Sequence, residues 1–150
     1  MKSKKGAGKG RVVSAKSERK ILLVDDHPLV REGIATLIRA TPDLRISAEA
    51  GNAAEALQAI QDEMPDIVLL DISLPGTSGI ELLKDLHARF PRLLVLVLSM
   101  HEESVYAERA LRAGAHGYIM KQEAGAKVIE AVRCVLGGEQ IGRASCRERV

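Results

Sequence analysis

The chain has 150 residues, 46% of them hydrophobic and 28% charged, with a formal net charge of +2. These values describe a soluble globular chain with room for one domain and barely two, not a disordered one. No apolar run approaches the roughly 20 residues of a membrane helix, and no apolar h-region of a secretory signal precedes the first structured stretch. The expectation is a cytoplasmic protein with no membrane partner. Two cysteines, Cys134 and Cys146, suffice for neither a metal cluster nor a disulfide framework.

The charge is uneven. Residues 1–20 carry eight Lys/Arg against one acid, +7; residues 21–140 carry 11 basic and 18 acidic residues, −7; residues 141–150 carry three Arg and one Glu, +2. An acidic middle segment is a poor match for a phosphate backbone. With only Phe90, Tyr106 and Tyr118 as aromatics, it also lacks the stacking platforms that single-stranded nucleic acid requires.

Residues 1–18, rich in Lys, Gly and Ser, read as a disordered basic leader. Ile21-Leu22-Leu23-Val24 is then a short apolar run, too short for a helix and fit for a buried strand. Pro28 suits a first helical turn, and Leu29, Val30, Gly33, Ile34, Leu37 and Ile38 follow at helical spacing up to Thr41-Pro42. Leu44 to Ala50 is a second strand. Asn52 is placed as an N-cap before a helix faced by Ala53, Ala56, Leu57 and Ile60, closed by Met64-Pro65. Ile67 to Leu70 is a third strand. Pro75, Gly76 and Gly79 form a loop into a helix with Ile80, Leu83 and Leu86, ended by Phe90-Pro91. Leu93 to Leu98 is a fourth strand, and a helix from about Glu102 to Ala113 stops at Gly114. Gly117 to Met120 is a fifth strand, and a last helix runs from about Glu123 to Leu136 before Gly137-Gly138.

Five strand–helix units alternate. Strands apolar at every position belong to a parallel sheet covered on both faces, and right-handed crossovers make it an open, doubly wound α/β domain. Ligands of such sheets sit at the carboxyl ends of the strands. The polar residues there are Asp25 and Asp26, Asp71, Ser99 and Lys121. Each alone has an ordinary role: a capping loop, a turn, an N-cap, a solvated charge. Together they are chemically coherent. Three carboxylates on one edge repel one another, and Mg²⁺, which favours carboxylate, water and phosphate oxygens, relieves this. A Lys and a Ser opposite can hold a phosphoryl group's oxygens, and a carboxylate between cation and Lys is a candidate nucleophile for an acyl phosphate.

The stretches Ile21-Leu22-Leu23-Val24-Asp25-Asp26-His27-Pro28, Asp71-Ile72-Ser73-Leu74-Pro75-Gly76 with Gly79, Leu98-Ser99-Met100 and Gly117-Tyr118-Ile119-Met120-Lys121 together resemble the bacterial response-regulator receiver domain, across about residues 19–138. The Asp-Asp-His-Pro start and the Leu-Ser-Met-His stretch are similar to the NarL/FixJ branch, whose members end in a LuxR-type helix-turn-helix. The resemblance implies a flavodoxin-like fold of five parallel strands and five helices. It implies that Asp71 accepts a phosphoryl group from a sensor histidine kinase; that Asp26, Asp71 and the Ser73 carbonyl ligate Mg²⁺, with Asp25 acting through water; and that Lys121 and Ser99 bind phosphoryl oxygens. Tyr118 resembles the switch aromatic that follows Ser99 and alters the face of the fourth helix, fifth strand and fifth helix. A phosphorylation-dependent homodimer and DNA binding through a missing C-terminal domain are further implications. The resemblance makes the chain no enzyme, beyond assisting its own phosphorylation and dephosphorylation.

Many receivers carry a cis proline after the Lys; here Gln122 stands there, so a trans bond is expected. Ser73 and His101 flank the expected path of the hydrolytic water. His27, which can also be read as a phosphoryl donor or metal ligand, is expected merely to begin a helix, and His87 and His116 to be surface or packing residues. No Gly-rich phosphate fingerprint follows the first strand, against a dinucleotide site.

Residues 139–150 continue none of these patterns. One back-translation of Gln140 to Ala144 resembles a sequencing-library adapter, so the expectation is a truncated linker followed by adapter translation. Two other functions are compatible with parts of this pattern. One is a stand-alone receiver acting by protein contacts. The other is a Mg²⁺-dependent phosphatase with an Asp nucleophile, disfavoured because Ser73 stands where such enzymes carry a second acid.

Overall fold

In a computed structural model, which describes residues 18–73, 78–100 and 104–138, strands and helices alternate strictly. They are β1 (Arg19–Val24), α1 (Pro28–Arg39), β2 (Leu44–Ala50), α2 (Ala53–Asp62), β3 (Ile67–Asp71), α3 (Gly79–Arg89), β4 (Leu94–Ser99), α4 (Ser104–Arg112), β5 (Gly117–Met120) and α5 (Lys121–Leu136). All four strand pairings are parallel, and the order is β2-β1-β3-β4-β5. The expected doubly wound, flavodoxin-like sheet is what the chain forms. The leader through residue 17, Leu74-Pro75-Gly76, His101 and residues 139–150 lie outside the described residues.

The two faces of the sheet explain the unbroken apolar strands. In β3, Val68 and Leu70 pack with Ile60 of α2, Leu83 and Leu86 of α3 and Ala110 of α4. Ile67 and Leu69 pack on the other side with Ile34 and Ile38 of α1 and Val128 and Val132 of α5. Alternate side chains therefore enter different cores, and none can be polar without leaving an unpaired group inside. Strand β2, at the sheet edge, is only partly covered. It carries an irregularity opposite Ile21/Leu22, where Ser47 turns its hydroxyl to the Ile21 carbonyl at 3.3 Å.

Helix starts follow local chemistry. Asn52 caps α2 by accepting the Glu55 N–H at 2.9 Å, as expected. Ser78 caps α3 in the same way through Glu81 N–H at 3.2 Å. Two boundaries differ from expectation. Strand β5 runs directly into α5, so that helix begins at Lys121, two residues before Glu123. Ser99 is the last residue of β4, not the first after it. Among the described residues every peptide bond is trans, including Lys121-Gln122.

Gly114 ends the α4 segment with φ +118°, a region that disfavours any Cβ, and a Cβ there would also meet the ring of His87.

Candidate functional site

The order of the strands reverses between β1 and β3, and the chain leaves these neighbours on opposite faces. That leaves a crevice at their carboxyl ends, and Asp25 and Asp71 stand on its two sides. The edge is extended by backbone bonds: Asp25 N–H to the Ala50 carbonyl at 2.9 Å, and Ile72 N–H to the Leu98 carbonyl at 3.1 Å. Asp71 is the last residue of β3, in register with Leu98, and Ser99 pairs in register with Met120, next to Lys121. Four sequence-predicted residues are thus brought to one edge: Asp25, Asp71, Ser99 and Lys121. All are buried, the first three completely.

Asp25 and Asp71 are held alike. Asp25 Oδ1 accepts the His27 N–H at 2.8 Å, and Asp71 Oδ1 accepts the Ser73 N–H at 2.9 Å. Each carboxylate therefore has one oxygen pinned by the backbone two residues on. The other oxygen of each faces Lys121 Nζ, 3.1 Å from Asp25 Oδ2 and 3.0 Å from Asp71 Oδ2. These two oxygens, together with Asp26 Oδ1, are buried and lack a well-directed hydrogen bond. Lys121 lies within ion-pairing distance of two of them but off the hydrogen-bond line. Such orphaned carboxylate oxygens are expensive unless a cation collects them.

His27 begins α1, as expected, and its side chain reaches into the cluster. It sits at the N-cap of α1, but its side chain makes no capping bond there. Instead Nδ1 lies 3.0 Å from Asp25 Oδ1, 3.2 Å from Asp26 Oδ1, 3.7 Å from Asp71 Oδ2 and 3.0 Å from Lys121 Nζ. Asp25, Asp26, His27 and Asp71 each offer a ligand atom within 4.8 Å of the others. The donor set, three carboxylates and an imidazole, fits a divalent cation.

Sequence reasoning also missed Arg31. From α1 it donates to the Asp25 carbonyl at 2.6 Å and pairs with Glu49 of β2 at 3.2 Å, tying the end of β1 to its neighbour. An Arg one turn into the first helix opposite an acid on the edge strand is a signal, but only once the strand order is known. Tyr118 is buried against the core containing Val97 and Ala110. His116 is half-buried, and its Nδ1 faces the Val95 N–H at 3.2 Å. Burial, then the neighbouring His87, holds its pKa below the ordinary histidine value.

This sheet edge gathers an acid–lysine cluster at the switch point of a doubly wound α/β domain, and comparison with known proteins says which family builds it. Residues 21–133 match the response regulator receiver domain family, and the chain belongs to that family. It is 47% identical over 118 residues to the transcriptional activator protein ExaE of Pseudomonas putida, covering 79% of this chain and 55% of that protein. It is 36% identical over 123 residues to the nitrate/nitrite response regulator protein NarL of Escherichia coli, covering 81% and 56%. A LuxR-family two-component response regulator from Aurantimonas sp. SI85-9A1 has a similar structure, with TM-score 0.80 and 36% identity over 88% of this chain and 94% of that one. The chain is a receiver domain of the NarL/LuxR type, and it spans about half the length of the curated relatives it matches.

Proposed function

We propose that Asp71 is the phosphoacceptor of a two-component switch. The observation that carries this reading is Asp71 itself: wholly buried, one oxygen pinned to Ser73 N–H, the other facing Lys121 Nζ at 3.0 Å. In the transfer, Asp71 Oδ2 forms a bond to the phosphorus of a phosphohistidine on a sensor kinase, and the P–N bond breaks. Lys121 neutralises charge that gathers on the phosphoryl oxygens, and the Ser99 hydroxyl is the second group to bind them.

Asp26, Asp71 and the Ser73 carbonyl would hold Mg²⁺, with Asp25 acting through water. The cation supplies electrostatic stabilisation of the transferring group. Phosphorylation draws Ser99 toward the new anion, and Tyr118 follows, which remodels the α4–β5–α5 face. That change promotes homodimerisation. In the intact protein, residues 19–138 form the receiver, and a following helix-turn-helix domain reads the state out on DNA in the cytoplasm. Support for the last step comes from the transcriptional relatives and from the half-length match. The domain is no general catalyst; it assists only its own phosphorylation and hydrolysis. A phosphatase reading has nothing on its side, since Ser73 and not an acid stands two residues past Asp71.

Incubation with acetyl phosphate and Mg²⁺, followed by intact-mass measurement, should add one phosphate to the wild type and none to Asp71→Asn. Equal labelling of the variant overturns the assignment.

A further inference from the structure

We propose that Arg31 is a positioning residue of the phosphorylation site: by holding the Asp25 carbonyl it fixes the Asp25–Asp26 peptide plane and so aims the Asp26 carboxylate. The inference rests on the acid cluster binding Mg²⁺, as proposed above, and concerns how one of its acids is held in place.

The three carboxylates are not held alike. Asp25 Oδ1 and Asp71 Oδ1 each accept the backbone N–H two residues on, at 2.8 and 2.9 Å, and both side chains are wholly buried. The Asp26 side chain is 33% exposed, and its Oδ1 accepts no hydrogen bond among the described residues. Its direction therefore depends on the backbone that carries it. That backbone lies between the end of β1 and the start of α1, outside any ladder of strand or helix bonds. The peptide before Asp25 is secured by its N–H, which donates to the Ala50 carbonyl at 2.9 Å. The peptide after Asp25, which leads into Asp26, has its carbonyl bound by an Arg31 guanidinium N–H at 2.6 Å. A charged donor makes this a strong bond.

Arg31 is itself firmly placed. Its backbone N–H bonds the His27 carbonyl at 3.0 Å and closes the first turn of α1. Helical side chains lean back toward the N-terminus, which returns the guanidinium over Asp25. Nε pairs with Glu49 of β2 at 3.2 Å, and both side chains are largely buried, 27% and 30% exposed. The same guanidinium passes Gly51, where an added Cβ would stand 3.4 Å from it. One planar fork thus runs from the edge strand to the peptide between two acids. The single ammonium of a lysine cannot make both contacts in these directions.

The sign of the effect separates positioning from mere charge. Arg31 is a cation beside a cation site, so by charge alone it repels Mg²⁺, and its removal would tighten binding. As a positioning group it does the reverse: its removal frees Asp26 and weakens binding.

Mg²⁺ is titrated by calorimetry into the full chain as wild type, Arg31→Met, Arg31→Lys and Arg39→Met. Circular dichroism and urea midpoints in metal-free buffer establish that each variant is folded. Arg31→Met should bind Mg²⁺ about tenfold more weakly, the scale for groups that orient metal ligands. Arg31→Lys, the milder change for folding, should also bind more weakly than wild type. Arg39 pairs with the same Glu49, at 3.0 Å, and is 55% exposed; its replacement removes an equal charge without touching Asp25 and should leave Mg²⁺ affinity as it is. Unchanged or tighter binding by the folded Arg31 variants overturns the positioning role and leaves the cation site standing. Equal weakening in Arg39→Met overturns it as well, by assigning the effect to the Glu49 network as a whole. No binding of Mg²⁺ by the wild type overturns both the inference and the cation reading beneath it.

Discussion

Lys121 Nζ lies 3.0 Å from Asp71 Oδ2 in a position that is almost wholly buried, its side chain 3% exposed and that of Asp71 0%. The lysine is the first residue of α5, delivered there by β5 with no intervening loop. The aspartate ends β3, two strands in from the β5 edge. The pairing therefore joins the site to the two elements on either side of β4.

Removing this ammonium should be costly. Breaking a buried ion pair from one side leaves uncompensated charge and costs about 3–5 kcal/mol, and here two carboxylates lose their partner. Lys121→Met keeps the apolar stem, so its loss reports the charge. Urea unfolding in metal-free buffer should show destabilisation of about 3 kcal/mol or more, and added Mg²⁺ should shrink the deficit by supplying a substitute cation. Asp71→Asn gives the contrast. It loses the pair but also relieves repulsion among three acids, so its stability should stay within about 1 kcal/mol of wild type. Equal losses in the two variants would argue against a lysine serving as internal counter-ion.

Gly79 begins α3, and its N–H donates to the Ile72 carbonyl at 3.1 Å. A Cβ at this position would overlap the Cα and carbonyl of Ile72. Backbone cannot yield as a flexible side chain can, so Gly79→Ala should cost about 1–3 kcal/mol, the range for overpacking. The displaced Ile72 adjoins Asp71 and Ser73, so phosphorylation by acetyl phosphate should slow as well. Unchanged urea midpoint and labelling rate would disprove the close approach.

His116 gives the fold a pH dependence with a definite sign. Burial, and secondarily His87, lowers its folded pKa below the ordinary histidine value of 6.5. The unfolded chain then binds the extra proton more readily. The stabilising contribution is complete above about pH 6.5 and is lost as pH falls through the folded value. Protonation would also end acceptance of the Val95 N–H by Nδ1. Urea midpoints should fall between pH 7.5 and pH 5.5 in wild type, and fall less in His116→Gln. Parallel curves for the two proteins would assign the pH response to other groups.

Much of this was legible beforehand because burial on both sheet faces leaves a plain mark. Ile21 to Val24, Ile67 to Leu70 and Leu93 to Leu98 can afford no polar residue, so the first polar residue announces each strand's end. That is why Asp25, Asp71, Ser99 and Lys121 can be grouped from the sequence, and the structure brings them to one edge. Features set by side-chain direction were not legible. His27 reads as a helix start from its place before Pro28, and its turn toward Asp25 and Asp71 depends on a rotamer that periodicity does not encode. Arg31 carries no signal of its own until the strand order places Glu49 beside it. The start of α5 was misplaced by two residues because Met120, an N-cap without a capping side chain, carries no local signal.

The decisive measurement is the position of the phosphoryl bond. The phosphorylated chain is reduced with borohydride, which converts an aspartyl phosphate to homoserine, and its peptides are sequenced by mass spectrometry. Homoserine at position 71 alone, with Asp25 and Asp26 intact, is the predicted result. A modification at Asp26 instead, or a phosphate on His27 or Ser99 that leaves Asp71 untouched, would refute Asp71 as the phosphoacceptor.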